Sequence, residues 1–247
     1  MRKGSFGGLL FREWYMAKNK VILYLAMIAA VFALCILALL SFEYGNLALL
    51  EEQIKADVYA QVVPIVKLYP MIAAGMLCAA VGESAIYDEK KLWKYFSKST
   101  PVTCFRIAGA KYTLMAMAAV AGLLLSLGFI LGMNLVMKTP AQNDLPLSLV
   151  MFSLVVLMSV ILQLGGQTTG SADKAGIIMA AVFLVGVVGL AYFFKTKELP
   201  QEATIAERIT MFLPDLPTSA VIAAVVIVGS LAAGFVCSAM LYKRGEK

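Results

Sequence analysis

The chain has 247 residues, 61% hydrophobic and only 15% charged, with a formal charge of +6 and no histidine. A soluble domain carries charge on about a quarter of its residues, so this balance, with a mean hydropathy of +0.85, excludes a water-soluble globular fold. The missing histidine removes Ser-His-Asp and Cys-His nucleophile arrangements, His-ligated zinc and the H-E-x-x-H protease helix.

Crossing a hydrocarbon core of about 30 Å takes about 20 helical residues, and lipid offers the backbone no hydrogen-bond partners, so spans are read as helices. Six charge-poor windows of that length run over Val21–Phe42, Val62–Ile86, Tyr112–Met137, Leu147–Gln163, Gly176–Phe194 and Ser219–Tyr242. The expectation is an all-α, polytopic integral membrane protein of six transmembrane helices, forming a single membrane domain over residues 1–247.

Before the first window, Phe6, Leu10, Trp14, Ala17 and Val21 recur at helical spacing with Arg12, Lys18 and Lys20 nearby. That pattern predicts an interfacial helix over 1–20, anchored by Phe6, Leu10 and Trp14, which lies flat on the inner leaflet before turning into the first span. The first window is too long for a secretory h-region and no small-x-small cleavage site follows it, so it reads as a retained anchor. After it, Leu47, Leu50, Ile54 and Val58 form a second stripe in an acidic loop.

The second window contains Pro64, Pro70 and Lys67, and ends near Glu83. Intramembrane charges are functional candidates by default; Lys67 has a stem long enough to snorkel to the headgroups, and Glu83 sits near the inner boundary. These two are the candidates for a transport pathway. Next comes the most highly charged stretch, 87–111. On a helical wheel Lys90, Lys91, Lys94 and Lys98 fall in one arc, and Leu92, Trp93, Tyr95 and Phe96 lie opposite with Glu89 among them. Thr100-Pro101 separates this helix from a second one that leads through Phe105, Arg106 and Lys111 into the third window, with Thr100 as its cap. The aromatic face fits either lipid or a groove on a partner protein.

Gly128 and Gly132 in the third window, and Gly186 and Gly189 in the fifth, are spaced to let helices approach closely. Gly165–Ser171, "GGQTTGS", has two glycines at phosphate-loop separation, but Ser171 stands where that motif needs lysine and no strand precedes it; it reads as a Gly-rich turn between spans. The four cysteines, Cys35, Cys78, Cys104 and Cys237, lack C-x-x-C spacing and read as structural. Between the last two windows, 195–218 is an external loop in which Ile205, Ile209, Phe212 and Leu213 form a stripe, Thr204 and Glu207 have capping-box spacing, and Pro214 ends the helix.

Under this six-span arrangement 15 of the 21 basic residues fall on one side, so both termini and the 87–111 segment are expected in the cytoplasm. The same asymmetry accounts for the basic pI and removes the argument for a nucleic-acid partner.

The order "LLFREWYMAKNK" before span one, "YDEKKLW" after span two, then "STPV" and "GAKY" entering span three resembles the permease subunits of ABC-2 type ATP-binding-cassette exporters, and is similar to the small permeases of phenol-soluble-modulin exporters. The resemblance implies an elbow helix at the N-terminus and a cytoplasmic coupling helix that docks on a separate ATPase subunit through Asp88, Glu89, Leu92, Trp93 and Phe96. It further implies a second permease, identical or not, in a bacterial cell membrane. This chain would then be no enzyme and hold no cofactor, with ATP and Mg bound by the partner. Amphipathic peptides, antimicrobials or lipid-like molecules are the cargo such a permease implies. A non-transporting structural or regulatory membrane protein is the alternative, and an ion-coupled carrier ranks below it for want of a buried acidic relay.

Overall fold

A computed structural model of the chain describes residues 6–45, 72–82, 102–137, 144–196 and 215–244. Every element in them is a helix: α1 Phe6–Tyr44, α2 Ile72–Gly82, α3 Cys104–Met137, α4 Asp144–Thr169, α5 Ala172–Thr196 and α6 Leu216–Arg244. Four stretches, Phe6–Ala38, Cys104–Asn134, Leu145–Thr169 and Leu216–Lys243, are long and apolar enough to cross a bilayer, and α2 is a shorter apolar helix. The protein is a multi-pass membrane protein, and all its described elements are helices.

Helix directions follow from pairs of close contacts. In α3, a Cβ at Gly122 would lie 2.6 Å from the Ala74 carbonyl oxygen of α2, and Met115 Cε reaches the Cβ position of Gly82, so α2 and α3 are antiparallel. Gly122 also faces Phe152 of α4, while Tyr112 shares with Val160 the Cβ position of Gly234 in α6; α3 therefore opposes α4 as well. Val160 meets Gly234, and the Gln167 amide donates to Ser238 Oγ at 2.8 Å, so α4 and α6 are parallel. In α1, Phe6 meets Gly109 and Phe32 stacks on Phe129 with ring centroids 4.2 Å apart, which makes α1 parallel to α3. Odd- and even-numbered helices thus run in opposite directions, and Phe6, Gly109 and Phe235 meet at one end of the bundle.

The α4–α6 contact is the most extensive, and the sequence shows why the two match. Asp-Leu-Pro-x-Ser opens both helices, at 144–148 and 215–219, and Gln167 and Ser238 each lie 23 residues after their aspartate. The Asp215 carbonyl accepts from Ser219 N–H at 2.9 Å to start α6, and Ser148 and Ser219 are both buried. Two helices launched alike run side by side in register.

Several expectations change. α1 is one uninterrupted helix of 39 residues, about 58 Å long at 1.5 Å per residue, so no break marks a turn after residue 20; beyond Gly8 it contains no glycine or proline to make one. α3 starts at Cys104, with the Thr103 carbonyl accepting from Arg106 and Ile107 N–H, so Thr103 rather than Thr100 occupies the capping position. "GGQTTGS" is mostly helix: the turn is Gly170 and Ser171 alone, with Gly170 at φ 64° donating to the Gly166 carbonyl at 2.9 Å in a left-handed C-cap. At Gly165 the α4–α5 hairpin is close-packed: a Cβ there would stand 3.3 Å from Ala175 Cα.

Three of the four glycines expected to admit neighbours meet none among the described residues. Gly128, Gly132 and Gly186 have nothing within 4 Å of a Cβ position, and the surroundings of Gly189 lie outside what is described. The close approaches fall at Gly75, Gly122 and Gly234, where an added Cβ would come within 2.6 Å of Val155 Cγ1, Ala74 O and Val160 Cγ1 respectively. Spacing alone identifies small residues but not the face that is packed. All four cysteines are free; Cys35 and Cys78 are buried as small apolar residues, whereas Cys237 is exposed.

Overpacking a tight contact destabilises by about 1–3 kcal/mol. Gly122→Ala, which collides with backbone, is therefore expected to lower the melting temperature of the purified protein in detergent, while Gly128→Ala leaves it unchanged or slightly raised.

Candidate functional site

α1 turns one stripe toward α3: Phe6 onto Gly109, then Leu10, Ala17 and Val21 into the core. The residue at the centre of that stripe is Glu13, 1% exposed, and not Trp14, which is 44% exposed. Phe6 is also partly exposed, so of the three expected anchors Leu10 is the one packed inward. A carboxylate in this position must be neutralised. Lys111 of α3, wholly buried, donates to Glu13 Oε2 at 2.9 Å, and Arg12 donates to Oε1 at 2.6 Å. Each carboxylate oxygen thus takes one cation, and the helix before the first span is fastened to the helix that follows residues 83–101.

Next to Lys111 begins a second polar group. Tyr112 of α3 has its ring edge-on to Phe235 and its hydroxyl 2.7 Å from the Cβ position of Gly234. On α4, Val160, Gln163 and Gln167 lie along one stripe; the first and last touch α6, so Gln163 faces the same junction, 3.6 Å from the Cβ position of Gly82. Tyr112 Oη, both carboxamide atoms of Gln163 and Gln167 Oε1 are buried with no hydrogen-bond partner. Left without any partner, each such group would cost about 1–3 kcal/mol. The neighbouring serines of α4 avoid it by donating to their own helix, Ser159 to Val155 O and Ser153 to Val150 O.

Both groups lie at the end of the bundle where α2 finishes and α3 begins. Lys18, over the Tyr15 ring at 3.9 Å, belongs to the same end, as do Asp173 and Lys174 just after the α4–α5 turn. Asp88, Glu89, Leu92, Trp93 and Phe96, together with Lys67 and Glu83 and the loop stripes Leu47–Val58 and Ile205–Leu213, lie outside the described residues. Among the described residues no three His, Cys, Asp or Glu gather as a metal site.

The Glu13–Lys111 pair has a sharp energetic signature. Removing one partner of a buried pair costs about 3–5 kcal/mol, whereas replacing both with apolar groups of similar size is often neutral. Glu13→Leu or Lys111→Met alone is expected to lower thermal stability strongly in detergent, and the double variant to recover most of the loss; simple addition of the two losses would refute the coupling.

The model of the family described as ABC-2 family transporter protein matches residues 58–243, about three quarters of the chain, including α2 to α6 and the segment between α2 and α3. Neither a curated protein nor a solved structure matches. With its multi-pass helical architecture and this match over most of its length, the chain belongs to the ABC-2 family of transporter proteins.

Proposed function

We propose that the protein is the membrane-spanning permease subunit of an ATP-binding-cassette exporter, with six spans, both termini in the cytoplasm of a bacterium, and ATP hydrolysed with Mg on a separate subunit. The observation that carries this reading is the family match over 58–243, which takes in residues 83–101 and the helices on either side of them. Families of this kind consist of membrane subunits that work with an ATPase. Within 83–101, Asp88, Glu89, Leu92, Trp93 and Phe96 are the residues proposed to dock on that ATPase, the aromatic face entering a groove and the lysine face remaining outside.

The geometry of the described helices supports the assignment in two ways. Gly82 and Val102, which flank the segment, belong to the same end of the bundle as Phe6 and Phe235, the end to which the basic residues assign the cytoplasm. And Lys111 ties α3 to α1 through Glu13, so displacement of the segment at its α3 side reaches α1 directly. Cargo of the amphipathic peptide, antimicrobial or lipid-like class, as for the permeases of phenol-soluble-modulin exporters, would cross between this bundle and that of a second permease.

The experiment is purification of the protein from its native membrane, with the co-purifying proteins examined for an ATPase subunit. Wild type is expected to retain that subunit in detergent, and Trp93→Ala with Phe96→Ala to release it or to uncouple ATP turnover from transport in proteoliposomes. Unchanged binding and coupling in the double variant would remove the docking assignment; absence of any associated ATPase would turn the reading toward a non-transporting membrane protein.

A further inference from the structure

Four buried polar atoms at one junction have no partner, and they belong to three side chains on two helices. The junction lies among α2, α3, α4 and α6. Gly82 of α2 brings backbone up to Ser159 O and Gln163, Met115 of α3 covers the same point, and α6 closes it with Gly234 and Ser238. Gln163 is 0% exposed, and its carboxamide offers two donors and an acceptor with two lone pairs. Tyr112 adds a hydroxyl that can donate or accept, and Gln167 Oε1 a further acceptor. The nearby Ser159 and Ser153 hydroxyls are engaged with their own helices, and the Gln167 amide is engaged with Ser238.

This set is neutral. It mixes donors with acceptors, which fits neither an anion nor a metal cation, and its members come from helices packed too closely for a bulky ligand. A ligand that uses both kinds of group, needs two to four polar partners and occupies little volume is water. We propose that Tyr112, Gln163 and Gln167 hold ordered water inside the bundle, where α2, α3, α4 and α6 meet. The hydrogen bonds that these side chains lack among themselves are made to that water, which turns four penalties into a connected network. The site is separate from any docking of an ATPase and stands whether or not the protein exports anything.

The test is hydroxyl-radical labelling by short X-ray pulses of the full chain in lipid nanodiscs, in which radicals formed from bound water oxidise adjacent side chains. Met115 and Met133 form an internal comparison, being 0% and 4% exposed and chemically identical; Met133 packs among Cys35 and Phe129 away from the polar junction. Met115 and Tyr112 are expected to be oxidised several-fold faster than Met133, and Gln163→Leu to bring Met115 down to the Met133 rate. Equal rates for the two methionines in wild type would overturn the proposal without need of a variant. Melting temperature gives a second reading: Gln163→Leu lowers it if the amide is bonded to water and raises it if the junction is dry, and a rise sinks the idea.

Discussion

An ionised carboxylate held at 1% exposure must keep its counter-charges, and much of the arrangement at one end of this bundle follows from that demand. Glu13 can be buried only if α3 brings Lys111 to it, which holds α1 and α3 at one fixed height. That height in turn sets Phe6 on Gly109 and, farther along, Phe32 on Phe129. Because Tyr112 follows Lys111 on the same helix, the register of the ion pair also decides where α3 presents its hydroxyl to α4 and α6. The pair does little for affinity between helices in absolute terms, since desolvation offsets most of the Coulombic gain. Its effect is on specificity: any sliding of α1 against α3 would leave a charge alone.

Polar groups in the interior fall into two regimes. Serines of α4 satisfy themselves locally by donating back to their own helix, and so place no demand on their neighbours. Longer side chains cannot do this as readily. Glu13, Lys111, Gln163 and Gln167 all project to other helices, and all lie at the end where α2 finishes and α3 begins. Farther along the α1–α3 contact, Cys35, Phe129 and Met133 form an apolar cluster, with buried Asn134 next to Met133 on α3.

Much of the architecture was legible in the sequence because the spans are set by a simple physical rule, about 20 apolar residues per crossing, and the described helices overlie the expected windows. Less legible were features that depend on which faces meet. Glu13 sits inside "FREWY", where helical spacing put Trp14 on the apolar stripe expected at the leaflet surface; nothing local shows that a lysine ninety-eight positions away makes the charged residue the buried one. Gly234 and Gly122 carry close contacts while the better-spaced Gly128 and Gly132 face outward, for the same reason. Gln163 lay at the fading edge of an apolar window and looked like the start of a loop. One signal was there to be found: the repeated Asp-Leu-Pro-x-Ser, which announces that two helices begin alike.

That repeat has a consequence for how the chain tolerates change. From the two aspartates to the Gln167–Ser238 hydrogen bond, α4 and α6 measure the same length in parallel, like two rulers read against one mark. Removing one residue from either would rotate everything beyond it by about 100° and draw it back by about 1.5 Å, turning Ser238 off its partner and Gly234 off Val160 together. Composition along these two helices can drift freely on their outer faces. Their length cannot, and an insertion in one is repaired only by an insertion in the other.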